Sequence, residues 1–204
     1  LGYVYDRDSA LFGRDGLETL LRQVEDAGAE RVLIVAHSMG AALAMETLRQ
    51  IAIGGDRSVL NRVEAVVLIS PDIDVDVFRA QARRVGRLAN PILIFTSRKD
   101  RALALSARLT GHAGRLGNLT DVGDLGGLNV VLLDTTAYST GAGHFNVGNS
   151  PALLALLGQI GNVDSVLAAE QAGRTGLLPG AVLTVQGATQ IILSPVAAIS
   201  GMER

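Results

Sequence analysis

The stretch RVLIVAHSMGAALAMETLRQ, residues 31–50, decides the fold. Its opening, RVLIVA, holds five apolar residues in six and is rich in β-branched side chains, as a strand buried in a parallel sheet is. After the serine the pattern changes: AALAMETLRQIAI puts Ala42, Met45, Leu48 and Ala52 on one helical face. Ser38 lies between the two with no loop residues to spare, and a serine at such a junction is where a nucleophile elbow sits. The turn calls for small residues two before and two after the serine, because strand and helix backbones nearly touch; Ala36 and Gly40 supply them. The usual first glycine is here an alanine, one methyl larger. In a chain with 24 glycines the small-X-Ser-X-Gly pattern arises readily by chance, so the strand before it and the helix after it carry the weight.

Outward from this junction the chain alternates. Leu17, Leu20, Leu21 and Val24 predict a helix from about Asp15 to Ala27, preceded by LGYVYDRDSALFGRDG, which reads as extended or loop. Strands are predicted over VEAVVLIS (63–70), PILIFTS (91–97) and LNVVLLDTT (128–136). Helices are predicted over 74–88, 102–111 and 150–160, the last with Ser150 as N-cap and Pro151 at its first position. Strands that are apolar throughout, alternating with helices, imply an α/β fold: a mostly parallel sheet covered on both faces, with every strand's C-terminal end on one edge. In open sheets of this kind that edge is where sites are built. The chain divides into a domain over 1–160 and an appended segment over 161–204, which has few charges, several glycines and no clear helix after about Gln171.

A lone serine is a poor nucleophile and needs a base, and in this fold the chain order is Ser, then Asp or Glu, then His. Of three histidines, His37 adjoins the serine and is expected to point away, and His112 lies in a Gly-rich loop. His144, in YSTGAGHFNVGNSP, follows the last strand by a short loop, which is the place for the base. Two acids could orient it: Asp100, closing PILIFTSRKD, and Asp72, in SPDIDVD at the end of the strand before. Asp100 comes from the later strand and is preferred, with Asp72 the alternative. Asp134 is expected to accept loop N–H groups instead. The Met39 N–H, at the start of the helix, is aimed where an oxyanion would form.

Composition narrows the classes. At 204 residues and 48% hydrophobic the chain supports a sizeable core, and a net charge of −2 offers no footprint for nucleic acid. Three histidines and no cysteine give neither a thiolate site nor an evident metal cluster, and the chemistry above needs no cofactor. The longest apolar stretch, 181–201, is interrupted by Gln186, Gln190 and Pro195, so no membrane span is expected. The partner implied is a small-molecule ester or acyl substrate. A non-catalytic binding or scaffold protein on the same fold is the competing expectation.

The segments GYVYDRDSALFGRDGLETLLR, VLIVAHSMG, SPDIDVDVF, TSRKDRALALSARLTG and GHFNVGNSPALL occur in an order that resembles a bacterial alpha/beta-hydrolase family of unknown function, from about Gly2 to Gly158. The resemblance implies that fold, with Ser38, Asp100 and His144 in the triad roles, and names no substrate. Family members also carry, upstream of the GYVYDRDSA segment, a strand ending in a His-Gly-type loop that supplies the second oxyanion donor. By this resemblance Leu1 is expected to fall after that loop. The expectation is therefore a domain without its first strands, with Met39 as the remaining donor. Such a domain would have an open sheet edge beside the nucleophile strand or beside a strand over residues 2–6, through which copies could self-associate.

Overall fold

The computed structural model describes residues 2–111, 114–139, 141–144, 180–185 and 188–193. Two helices come first, α1 (Gly2–Phe12) and α2 (Arg14–Asp26), followed by β1 (Val32–His37) and α3 (Met39–Gly54). The chain continues through α4 (Ser58–Arg62), β2 (Val63–Ile69), α5 (Val75–Val85), β3 (Ile92–Thr96), α6 (Arg101–Thr110) and β4 (Val130–Asp134). A hairpin, β5 (Gly180–Val185) and β6 (Ala188–Leu193), closes it. The predicted helix over 150–160 lies outside the described residues.

The strands form one sheet in the order β1-β2-β3-β4-β6-β5. All neighbours are parallel except β5 and β6. The apolar runs fix this arrangement: β3 and β4 are buried at every position, as strands covered on both faces must be. On one face Met45, Leu48 and Ile51 of α3 and Phe78 and Val85 of α5 pack against Val66, Leu68, Ile94 and Leu132. The buried face of α3 is centred on Ala41, Ala44, Met45 and Leu48, with Ala42 and Ala52 only partly covered, a small rotation from the predicted stripe. Asp74 ends the turn after β2 and starts α5 by accepting from the Asp76 and Val77 N–H groups.

Two regions differ from expectation. Residues 2–12 are helical, neither loop nor strand. α1 buries no residue, so no apolar periodicity announces it; it rests on α3 and is pinned where the Tyr3 hydroxyl donates to Asp72 at 2.8 Å. Residues 180–193, read from sequence as part of an appended segment, carry two strands of the main sheet, and β6 runs parallel beside β4. There Ile191 is buried and the Gln190 side chain donates to the Thr120 carbonyl at 3.1 Å.

β1 is the outer strand at its end of the sheet, bonded to β2 alone among the described residues. Leu33 and Val35, which share one face of β1, are each 52% exposed.

Candidate active site

Parallel strands deliver their C-terminal ends to one edge, and four polar segments gather there: Ser38 after β1, Ser70–Asp72 after β2, Ser97–Asp100 after β3 and Asp134 at the end of β4. Ser38 has φ 52° and ψ −122°, a left-handed conformation that costs a non-glycine residue on the order of 1–3 kcal/mol and persists only where the surroundings hold it. They do so through the backbone. The Ser38 N–H donates to the Ile69 carbonyl at 2.9 Å, and the Ser38 carbonyl accepts from the Ala41 and Asp72 N–H groups, each at 3.1 Å. Next door, Ser70 repeats the departure with φ 45°. Gly117 packs under that turn, where a Cβ would lie 2.8 Å from the Ser70 carbonyl carbon. Gly40 is a correction: a Cβ there would meet nothing within 4 Å, so close packing is not what the residue provides. The described residues place no second strand beside β1 on its open side to crowd that turn.

His144 reaches the serine. Its Nε2 lies 3.0 Å from Ser38 Oγ, and its Nδ1 lies 2.8 and 3.0 Å from the two carboxylate oxygens of Asp100. Asp100 is the N-cap of α6 and also accepts from the Leu103 N–H at 3.0 Å, so the helix start fixes the carboxylate. The loop before His144 is docked onto the same turn. Arg101 N–H donates to the Ala142 carbonyl at 3.0 Å, and Gly143, with φ +72°, lies so close that a Cβ would sit 2.6 Å from the Lys99 carbonyl oxygen. The Asp100 side chain is fully buried, while the His144 side chain retains 24% exposure. Hydrogen bonding to Asp100 raises the His144 pKa above the ordinary histidine value; burial opposes this, and the charges of Asp100 and Asp72 add to it.

Asp72 is engaged elsewhere. It accepts from Ser106 Oγ at 2.6 Å and from the Tyr3 hydroxyl, which burial helps to keep protonated. It also pairs with buried Arg115 at 3.1 Å, in an ionic contact whose N–H is not aligned for a hydrogen bond. Asp134 accepts from the Thr136 N–H at 2.9 Å. His112 lies outside the described residues. His37 does not point away from the site: its Nε2 is 3.2 Å from the His144 carbonyl oxygen, and the two rings stand 4.7 Å apart. Burial is the main cause that lowers the His37 pKa, which favours the neutral ring able to donate to that carbonyl. Its position directly before the nucleophile was the available signal, since a residue flanking an elbow can still turn its ring along the sheet edge.

The described residues contain no group of His, Asp and Glu able to hold a metal ion, and no helix long and apolar enough to cross a membrane. A parallel sheet that turns sharply at a strained serine into a helix, with a carboxylate-backed histidine on the same edge, has the architecture of the alpha/beta hydrolases. The chain belongs to the alpha/beta hydrolases of unknown function (DUF900), whose family model matches residues 1–159. No curated protein and no solved structure matches it.

Proposed function

We propose that the chain is a serine hydrolase that cleaves carboxylic esters, or performs a related acyl transfer, through an acyl-enzyme on Ser38. The observation that carries this is the 3.0 Å contact between Ser38 Oγ and His144 Nε2, with Asp100 behind the ring at 2.8 Å. Ser38 Oγ attacks the ester carbonyl as its proton passes to His144 Nε2. Asp100 holds the imidazole with Nδ1 protonated and stabilises the imidazolium that forms. The developing oxyanion faces the N–H of Met39, the first residue of α3, which has no partner within the helix. Collapse breaks the bond to the leaving alkoxide, and His144 returns the proton to it. Water then reverses the sequence: His144 takes its proton, the oxygen attacks the acyl carbon, and the acid leaves as Ser38 recovers its hydrogen.

A fluorophosphonate probe tests this directly. Labelling of the unaltered chain should vanish in Ser38→Ala. Turnover of a p-nitrophenyl ester should fall by similar amounts in Ser38→Ala, His144→Ala and the double variant, because the groups act as a unit. Absence of serine-dependent labelling would point instead to a non-catalytic scaffold on the same fold.

A further inference from the structure

His37 and Ser38 are consecutive, and both side chains meet the same residue. Ser38 Oγ lies 3.0 Å from His144 Nε2, while His37 Nε2 lies 3.2 Å from the His144 main-chain carbonyl oxygen. A carbonyl only accepts, so His37 Nε2 carries the hydrogen and donates it. The anchor is firm at its own end. His37 closes β1 and pairs in register with Ile69 of β2, whose carbonyl accepts from the Ser38 N–H. The loop that His37 reaches is different: Gly141 and Gly143 both have positive φ, at 57° and 72°, and glycine restrains a chain least, so contacts must set where His144 lies. Those with Lys99, Asp100 and Arg101 fix the loop to the turn after β3. β1 stands two strands away in the sheet, and the His37 hydrogen bond ties the loop to it.

We propose that His37 is a positioning residue for the reaction: by holding the His144 carbonyl it sets the separation of Ser38 Oγ and His144 Nε2, and it touches no reacting atom. The proposal rests on the hydrolase reading and deepens it. A bond to the main chain suits this task, because it leaves both ring nitrogens of His144 to Ser38 and Asp100. The His37 ring also stands 4.7 Å from that of His144, tilted by 57°. A neutral His37 fills that place without setting a second positive charge beside the imidazolium that forms on His144. Burial lowers the His37 pKa and so favours the neutral ring. The donor's reach separates three substitutions. Glutamine carries an amide nitrogen as many bonds from Cβ as histidine Nε2, asparagine falls a methylene short, and phenylalanine keeps a ring with no donor.

The experiment compares the full chain with His37→Gln, His37→Asn and His37→Phe on p-nitrophenyl acetate, at the pH plateau of the unaltered chain, with fluorophosphonate labelling of Ser38 run alongside. His37→Phe and His37→Asn should each lower kcat roughly tenfold or more with KM within about threefold, since a reacting group misplaced by about 1 Å can cost about a hundredfold. Labelling of Ser38 should slow by the same factor. His37→Gln should keep kcat within about threefold, because the donor is restored at the same reach. If His37→Phe does not fold, the glutamine and asparagine variants decide by the same criteria. Full activity in His37→Asn or His37→Phe, a loss in His37→Gln as large as in His37→Asn, or a loss confined to KM overturns the positioning role and leaves the hydrolase reading standing. No serine-dependent labelling and no turnover in the unaltered chain overturns both.

Discussion

Two aspartates end neighbouring strands on the same edge, and their partners divide their roles. Both Asp100 oxygens approach the His144 ring, whereas the Asp72 oxygens are taken up by Tyr3, Ser106 and Arg115. Asp100→Asn should therefore reduce kcat on an activated ester by about 10⁴-fold, the size of effect seen when a triad histidine loses its tautomer control. Asp72→Ala should act on stability, by about 3–5 kcal/mol in a denaturant titration, because it strands a buried arginine. If Asp72→Ala in its folded form shows the 10⁴-fold loss and Asp100→Asn does not, the acid has been misassigned. The raised His144 pKa gives a pH dependence with a definite sign. With His144 as the base proposed above, the neutral ring is the active form, so kcat/KM should fall on the acid side with a midpoint above 6.5, and Asp100→Asn should move that midpoint down. Stability runs the other way. A folded pKa above the unfolded value contributes stability below about pH 6.5, and this contribution is lost as pH rises through the folded value. Sequence order pointed to Ser38, Asp100 and His144, but His37 was misjudged, because adjacency in the chain says nothing about where a ring lies along a sheet edge.

The elements were legible in proportion to what they bury. β2, β3 and β4 are apolar at nearly every position, and Asp74, Gly86 and Gly111 mark the ends of their helices, so pattern and caps agree. α1 was not legible because it has no buried side to imprint on the sequence; the Tyr3 hydroxyl and contact with α3 hold it instead. β5 and β6 were missed for the opposite reason. The short apolar run of β6 is interrupted by Gln190, whose side chain donates to the Thr120 carbonyl, 70 residues earlier in the chain. The loop bearing His144 has its own requirement at Gly143. Gly143→Ala adds a methyl against the Lys99 carbonyl in a left-handed conformation, so the loop must shift and carry the imidazole with it. The expected outcome is a fall in kcat of at least tenfold, since misplacing a reacting group by about 1 Å can cost about a hundredfold. Because Gly143 acts through the imidazole it positions, kcat should fall more than KM rises; a loss confined to KM would show that the loop contacts substrate instead.

At the scale of the whole molecule, the strand that leads into Ser38 is the outermost at its end of the sheet among the described residues. β1 presents an unbonded edge among the described residues, with Leu33 and Val35 exposed beside it, the arrangement that invites pairing with another chain. Sedimentation velocity should show concentration-dependent self-association, reduced in a Leu33→Lys/Val35→Lys variant; a monomer at every concentration would mean that this edge is not available for pairing. The clamp between Ala142–Gly143 and Lys99–Arg101 bears on how the molecule meets a reagent. His144 and Asp100 are joined through the backbone as well as through their side chains, so ordering the one orders the other before anything binds. If Ser38 is the nucleophile proposed above, an encounter with an organophosphate then needs no search for a competent arrangement. Inactivation should follow a single exponential from the first milliseconds, with a rate proportional to reagent until binding saturates, whereas a lag would reveal a loop that assembles only on demand.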